Sequence, residues 1–255
     1  MRFFIHSHPG HARTDEFAAR LAGLITDAGA EVVDTAAGSD MVVSVGGDGT
    51  MLAAAHIALE ADVPVVGFNL GTMGFLAHAE PEDAGSTVRR LIDGAYTIEE
   101  RMTVRAALDG RERHAVNDVV VEKVDTTRLV VLRVTVDGDP FVTYRADGLI
   151  VASPTGSTAY SFSAGGPLVD PRLRALVMTP VAAHSLFSRA LVLPDGAEVA
   201  VEVAADRTVR VNVDKDVLGH LREGERLIVS AGEPRLKFVS LRTFPEAVRD
   251  KFGLR

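Results

Sequence analysis

The chain has 255 residues, 47% hydrophobic and 24% charged, with 27 Lys and Arg against 35 Asp and Glu, a net charge of −8, and no cysteine. This is an ordinary globular composition, long enough for one large domain or two smaller ones, each with its own core. The acidic balance argues against a nucleic-acid or acidic-membrane partner, and the lack of cysteine excludes disulfides, thiol nucleophiles and thiolate metal sites.

Phe3 to His6 reads as a first strand, broken by Pro9-Gly10. The apolar run at the N-terminus is too short for a signal peptide, and no segment approaches membrane-spanning length, so the sequence predicts a cytoplasmic protein with no membrane partner. Thr14 fits the cap of a helix with Asp15 and Glu16 in its first turn, and Phe17, Leu21, Leu24, Ile25 and Ala28 fall on one face. Gly29 ends it, and Glu31 to Asp34 suits a second strand.

Met41, Val42, Val43 and Val45 form a near-continuous apolar run, as a strand buried on both faces requires. Gly46-Gly47-Asp48-Gly49 breaks the run, and Thr50 opens an Ala/Leu-rich helical segment to about Leu59. Strand, glycine turn and helix bring backbone N–H groups and a positive helix end to one point, where phosphate binds. Asp48 conflicts with a bare phosphate cradle unless it holds Mg²⁺ or takes a proton from an attacking hydroxyl. The same five residues also fit a plain tight turn with Asp48 as helix cap. They are neither a Walker loop nor a dinucleotide fingerprint.

Val63 to Phe68 is another short buried strand, ending in the glycine-bearing stretch Asn69-Leu70-Gly71-Thr72-Met73-Gly74-Phe75-Leu76. Alternating strands and helices imply a doubly wound, Rossmann-like parallel sheet with ligands at the carboxyl ends of the strands, where both glycine loops fall. Pro81 opens one more helix and Gly94 closes it. Beyond Gly94, Asp109-Gly110 and Asp137-Gly138 mark hairpins, and further β-like runs are separated by Pro194-Asp195-Gly196, Asp206-Arg207 and Arg222-Glu223-Gly224. This predicts a C-terminal β-sandwich. The expected division is an α/β domain over residues 1–97 and a β-sandwich over 98–240, the boundary lying near Tyr96–Glu100.

Tyr144-Arg145-Ala146-Asp147 leads through a strand into about a dozen residues of small hydroxyls and glycine, Thr155 to Gly166, holding Tyr160 and Phe162. The stretch offers donors, acceptors and an aromatic face, which suits a purine and ribose better than a bare phosphate. A solvated Ser/Gly linker would not carry two aromatics.

Gly46-Gly47-Asp48-Gly49-Thr50 resembles the glycine-aspartate motif of the NAD kinases, shared with diacylglycerol and sphingosine kinases and more loosely with phosphofructokinases. Asn69-x-Gly71-x-x-Gly74-Phe75, Asn117-Asp118 and the Thr155–Tyr160 stretch match the NAD kinase pattern in order and spacing, over essentially the whole chain. The resemblance implies transfer of the terminal phosphoryl group of ATP, or of inorganic polyphosphate, to the 2′-hydroxyl of the adenosine ribose of NAD, giving NADP. Asp48 would be catalytic; Gly46, Gly47, Gly49 and Thr50 would hold the donor's phosphates with Mg²⁺ or another divalent cation, bound mainly through those phosphates. Asn69, Phe75, Leu76, Asn117, Asp118, Arg145, Thr155, Thr158, Ala159, Tyr160 and Ser163 would surround the nucleotide, with Asp147 toward the nicotinamide half. His184 and Lys215 are second-rank candidates for the same pocket. The resemblance also implies that residues 241–255 return to the α/β domain, and that the protein is a homodimer or homotetramer. Two departures stand out: Asp118 where the family usually has Glu, and Lys215 in a turn where many members carry Asp-Gly-Gln. The competing readings are a lipid kinase built on the same glycine loop and a non-catalytic dinucleotide-binding module.

Overall fold

The computed structural model describes residues 1–254 apart from 9, 72, 73, 78 and 206, together with all but the side chain at 234. Of the residues read above as turn or loop, Pro9, Thr72, Met73 and Asp206 therefore lie outside the described residues. The chain divides into two compact units, one of residues 1–100 with 236–255 and the other of residues 101–235. The expected breaks at 97/98 and 240/241 thus fall at 100/101 and 235/236. They lie inside two strands, β5 (Thr97–Leu108) and β16 (Arg226–Ser240), so the stretch expected to link the domains is regular β structure.

The first unit runs β1 (Arg2–Ser7), α1 (Ala12–Asp27), β2 (Glu31–Val33), β3 (Met41–Gly46), α2 (Asp48–Ala61), β4 (Val65–Asn69) and α3 (Ala84–Ile92). Its strands lie in the order β2-β1-β3-β4, all parallel, and the end of β16 adds beside β4 with Phe238 opposite Val65. All six residues of β3 are buried, the state a parallel strand covered on both faces demands. Phe3, Leu21, Ile25, Met41, Val43, Phe68 and Leu91 belong to its core. Strand order reverses between β1 and β3, so the carboxyl end of β3 lies at a topological switch point.

Three local expectations are corrected. Helix α1 begins at Ala12 with His11 in the N-cap position, its carbonyl accepting from the Thr14 and Asp15 amides at 2.8 and 3.0 Å, so Thr14 lies inside the first turn. Helix α2 passes Leu59 to Ala61 and is followed by Asp62 in the C-cap position, whose φ of 55° is left-handed. Pro81 opens a single 3-10 turn, Pro81–Asp83, which feeds α3 from Ala84. The final helix, α5 (Phe244–Phe252), starts with a capping box between Thr243 and Glu246 and stops at Gly253 with φ 62°.

The second unit is antiparallel. In chain order after β5 come β6 (Arg111–Ala115), β7 (Asp118–Lys123), β8 (Val130–Val136), β9 (Asp139–Ala146), β10 (Gly148–Ala152), α4 (Tyr160–Ser163), β11 (Ala175–Val181), β12 (Leu191–Pro194), β13 (Val199–Val203), β14 (Val209–Val213) and β15 (Asp216–Leu221). One sheet has the order β12-β11-β10-β7-β14-β15; β16, β13, β8 and β9 are neighbours in the other, where β5 pairs with β16 and β6. Alternate residues such as Val119 and Val121, Leu132 and Val134, and Val209 and Val211 fill the shared core, the period-2 pattern of a sandwich. Asp109-Gly110 and Asp137-Gly138 have φ of 49°, 73°, 52° and 85°, the paired left-handed values of tight hairpin turns. The hydroxyl-rich stretch is more ordered than a loop: a 3-10 turn over Thr155–Thr158 precedes the one-turn helix α4.

Candidate active site

In the first unit the glycine turn leaves the carboxyl end of β3. Gly46 has φ 156°, and a Cβ there would lie 2.5 Å from Thr50 Oγ1, so glycine is required on both counts. Gly47 is the N-cap of α2 and Asp48 its first residue, with no side-chain cap bond. That corrects the plain-turn reading, in which Asp48 caps the helix. Its carboxylate instead reaches the second glycine loop, Oδ2 accepting from Phe75 N at 3.0 Å and Oδ1 from Leu76 N at 3.2 Å. Gly74 makes this possible, since a Cβ at that position would stand 2.0 Å from Asp48 Oδ1. The two glycine loops are therefore one device: the second orients the acid carried by the first.

Asn69 ends β4 opposite Gly46, and Leu70 N donates to Gly46 O at 3.2 Å. Asn69 is buried, with Oδ1 accepting from Gly71 N at 3.2 Å, so the contact seen for its side chain shapes its own turn. Leu76 is buried and Phe75 half-buried, with its ring 6.1 Å from that of Phe252.

In the second unit Asn117 and Asp118 open β7 and are held by a residue the sequence reading missed. Asp214, at φ 52° in the turn from β14 to β15, accepts from Val116 N and Asn117 N at 2.8 Å each and from Asp118 N at 3.1 Å. The Asp214 amide returns a bond to Asp118 O at 2.8 Å. Lys215, the next residue in this turn, is exposed. The available signal was an Asp in a Val-Asp-Lys-Asp hairpin turn, where a short acceptor side chain tolerates left-handed backbone.

The hydroxyl-rich segment packs onto the same place. Ser153 Oγ donates to Val116 O at 2.6 Å and accepts from Gly156 N at 3.1 Å; Ser153 N donates to Asn117 O at 2.8 Å. A Cβ on Gly156 would lie 2.1 Å from Asn117 O, so only glycine permits this approach. Asn117 Oδ1 and Thr155 Oγ1 are both buried without a protein partner. Thr158 Oγ1 donates back to Thr155 O at 3.1 Å, and Ala159 is the N-cap of α4.

Charge concentrates beside this cluster. Burial, reinforced by the charge of Asp214, pushes the Asp118 carboxyl up to about 7. The Tyr160 hydroxyl is raised by burial and then by the charges of Glu122, Asp147 and Asp118, which puts these four residues in one neighbourhood. Glu122 accepts from Arg210 Nη2 at 2.6 Å and from Asn212 Nδ2 at 2.7 Å, and Lys123 Nζ donates to Asp147 Oδ1. Lys123 and Glu122 were not singled out from sequence, because they read as ordinary residues at a strand end. Arg145 and His184 meet through the backbone, His184 N donating to Arg145 O at 2.7 Å, and both side chains are exposed. Ser163 is exposed on α4.

Among the described residues no group of three or more His, Asp or Glu side chains is arranged to hold a metal ion. Asp48 is the acid within the glycine turn, and one carboxylate plus substrate phosphates is the usual protein share of a Mg²⁺ site.

Comparison with known proteins bears on both units. Residues 7–96 match the family model described as ATP-NAD kinase N-terminal domain, and residues 116–241 match the ATP-NAD kinase C-terminal domain. The chain is 41% identical over 240 residues to an NAD kinase of Heliobacterium modesticaldum, covering 91% of this chain and 85% of that one. It is 39% identical over 217 residues to an NAD kinase of Thermococcus sibiricus, covering 85% and 77%. Its structure aligns with an NAD kinase from Archaeoglobus fulgidus in complex with ATP at a TM-score of 0.81 and 25% identity, over 100% of this chain and 98% of that one. The fold also matches yeast NADH kinase complexed with NADH, at TM-score 0.88 and 24% identity, over 100% and 88% of the two chains. With both domain models matched and relatives this similar over most of its length, the chain belongs to the NAD kinase family.

Proposed function

We propose that the protein transfers the terminal phosphoryl group of ATP, or of inorganic polyphosphate, to the 2′-hydroxyl of the adenosine ribose of NAD, forming NADP. The observation that carries the acceptor side of this reading is the pair of buried, unpartnered acceptors Asn117 Oδ1 and Thr155 Oγ1, where the 3-10 turn preceding Tyr160 packs on Asn117. Leaving such atoms unpaired costs about 1–3 kcal/mol each, which a nucleotide's amino and hydroxyl groups would recover. On the donor side, the leading amides of α2 and its positive end suit phosphate.

Asp48 would accept the 2′-hydroxyl proton as that oxygen bonds to the terminal phosphorus and the phosphorus–oxygen bond to the leaving ADP, or to the polyphosphate shortened by one unit, breaks. Its two main-chain donors fix the carboxylate's direction while leaving a lone pair on each oxygen. A divalent cation would be held by the donor's phosphates and by Asp48, and would supply neutralisation of phosphate charge. The other assigned residues keep their proposed roles: Phe75, Leu76, Asp118, Arg145, Thr158 and Ala159 around the nucleotide, with Asp147 and His184 toward the nicotinamide end.

A homodimer or homotetramer belongs to the same proposal. Leu186 at 110% exposure, and Phe187 packed edge-on at 5.4 Å from Phe141, offer an apolar surface for a second copy. No helix among the described residues is long and apolar enough to cross a membrane. Residence in the cytoplasm, where both substrates are at hand, completes the reading.

The test is NADP formation from NAD with ATP or polyphosphate as alternative donors and Mg²⁺ present. Conversion with at least one donor is expected. No conversion with either, together with phosphorylation of diacylglycerol in vesicles, favours the lipid kinase; tight NAD binding without turnover favours the non-catalytic module.

A further inference from the structure

The last residues of the chain grip the turn that aims Asp48, and they do so at two points. The Arg242 guanidinium donates to Gly74 O at 3.4 Å and pairs with Asp250 at 3.7 Å, on a side chain 14% exposed. The Phe252 ring, at the other end of α5, lies 6.1 Å from the Phe75 ring at an interplanar angle of 52°. Gly74 and Phe75 are the residues that meet the catalytic candidate: one leaves room for its carboxylate and the other donates to it.

The placement of Arg242 is fixed from both sides. Ser240 Oγ donates to Arg242 O at 2.8 Å, and the next residue, Thr243, starts the capping box of α5. Upstream, Lys237 Nζ donates to Asp62 O at 3.0 Å and Asp62 Oδ1 at 2.7 Å, tying the return strand to the carboxyl end of α2. A cation there also complements the negative end of the helix. The return segment thus touches the last residues of α2 through Lys237, and through Arg242 the turn facing its first residue.

We propose that Arg242 is a positioning residue for the phosphoryl transfer: with Phe252 against Phe75, it holds the Gly74–Leu76 turn so that its two amides keep the Asp48 carboxylate on its hydroxyl target. The proposal rests on Asp48 as the proton acceptor. Arg242 touches no substrate in this account. Its effect is on aim, and misplacing a catalytic group by about 1 Å costs ~100-fold in rate.

The experiment compares the parent with Arg242→Ala, Arg242→Lys and Phe252→Ala in kcat, KM for NAD, thermal midpoint and amide hydrogen exchange over the peptide carrying Phe75 and Leu76. For Arg242→Ala we expect kcat to fall by ~10–100-fold with KM for NAD unchanged within about two-fold, the pattern of an interaction that matters only in the transition state. Exchange at the Phe75 and Leu76 amides should quicken, and Arg242→Lys, which keeps a donor for Gly74 O, should recover most of kcat. Parent kcat with parent exchange overturns the proposal. So does a loss of kcat that Lys does not recover and that only tracks the thermal midpoint. Should Arg242→Ala not fold, Phe252→Ala decides: quicker exchange at the two amides with lower kcat supports the clamp, and parent values of both overturn it. A fully active Asp48→Asn enzyme would sink the proton-acceptor assignment instead, an outcome separable from any result at Arg242.

Discussion

Asp118 is 5% exposed, and burial followed by the charge of Asp214 lifts its carboxyl from 3.8 to about 7. The folded protein therefore binds this proton more tightly than the unfolded chain does. The resulting stability is fully present below about pH 4 and is lost as pH rises through about 7. At 1.36 kcal/mol per pH unit the loss amounts to at most about 4 kcal/mol. Asp118→Asn, which cannot ionise, should be more stable than the parent above pH 7, with the advantage vanishing toward pH 4. Urea midpoints across that range check it, and a difference independent of pH would contradict the burial argument. Asp214 accepts hydrogen bonds from three main-chain amides. Hydrogen bonds to charged groups contribute about 1.5–3 kcal/mol each, so Asp214→Asn should destabilise the protein by at least that much. It should also weaken NAD binding, because Asn117 loses its support; calorimetry showing parent affinity would disconnect the two residues.

Among elements, the segment from Ser153 to Ser163 has the most direct consequence. Its 3-10 turn packs on the Asn117 backbone through Gly156, and α4 leaves Tyr160 42% exposed. Aromatic stacking under a base contributes about 1–3 kcal/mol, so Tyr160→Ala should weaken NAD binding by ~5–150-fold without unfolding the protein. Unchanged affinity in a folded variant would remove Tyr160 from the nucleotide site. The sequence pattern set this segment apart from an ordinary linker and was silent about its form. Serines and glycines carry no apolar period, so the burial of Ser157 and Ser161 could not be foreseen; Ser157 Oγ bonds the Val169 main chain and Ser161 Oγ pairs with Thr179 Oγ1. Strand β3, the glycine turn and α2 were legible for the opposite reason: a continuous apolar run, a breaker and a helix former leave little choice locally. Likewise, Asp-Gly pairs fix hairpins through their own backbone preference, whatever lies elsewhere in the chain. The turn position of Asp214 left a local signal, but its partners did not, since the residues it anchors lie 96 to 98 positions earlier.

At the scale of the molecule, an α/β unit carries Asp48 and the phosphate-type turn, and a β-sandwich carries Asn117, Asp118 and the hydroxyl-rich segment. The shift from helix-strand alternation to short β runs after Gly94 made this division readable in the sequence. Its edges were not, because β5 and β16 pass through the breaks as unbroken strands and polar residues such as Glu99 and Glu100 suit a linker and an exposed strand alike. The C-terminal return was anticipated, but its tie to Asp48 through Gly74 and Phe75 depends on contacts across most of the chain length.

The central claim is that Asp48 takes the proton during phosphoryl transfer to NAD, and its most direct test is Asp48→Asn with NADP formation and NAD binding measured on the same preparation. Asparagine keeps the size and one acceptor for the Phe75 and Leu76 amides but loses the charge and basicity. A positioned base contributes ~10²–10⁴ in rate, or about 3–5 kcal/mol of barrier, so NADP formation should fall by that factor while NAD affinity stays near the parent value. A folded Asp48→Asn protein that binds NAD and still forms NADP within a few-fold of the parent rate would contradict the account.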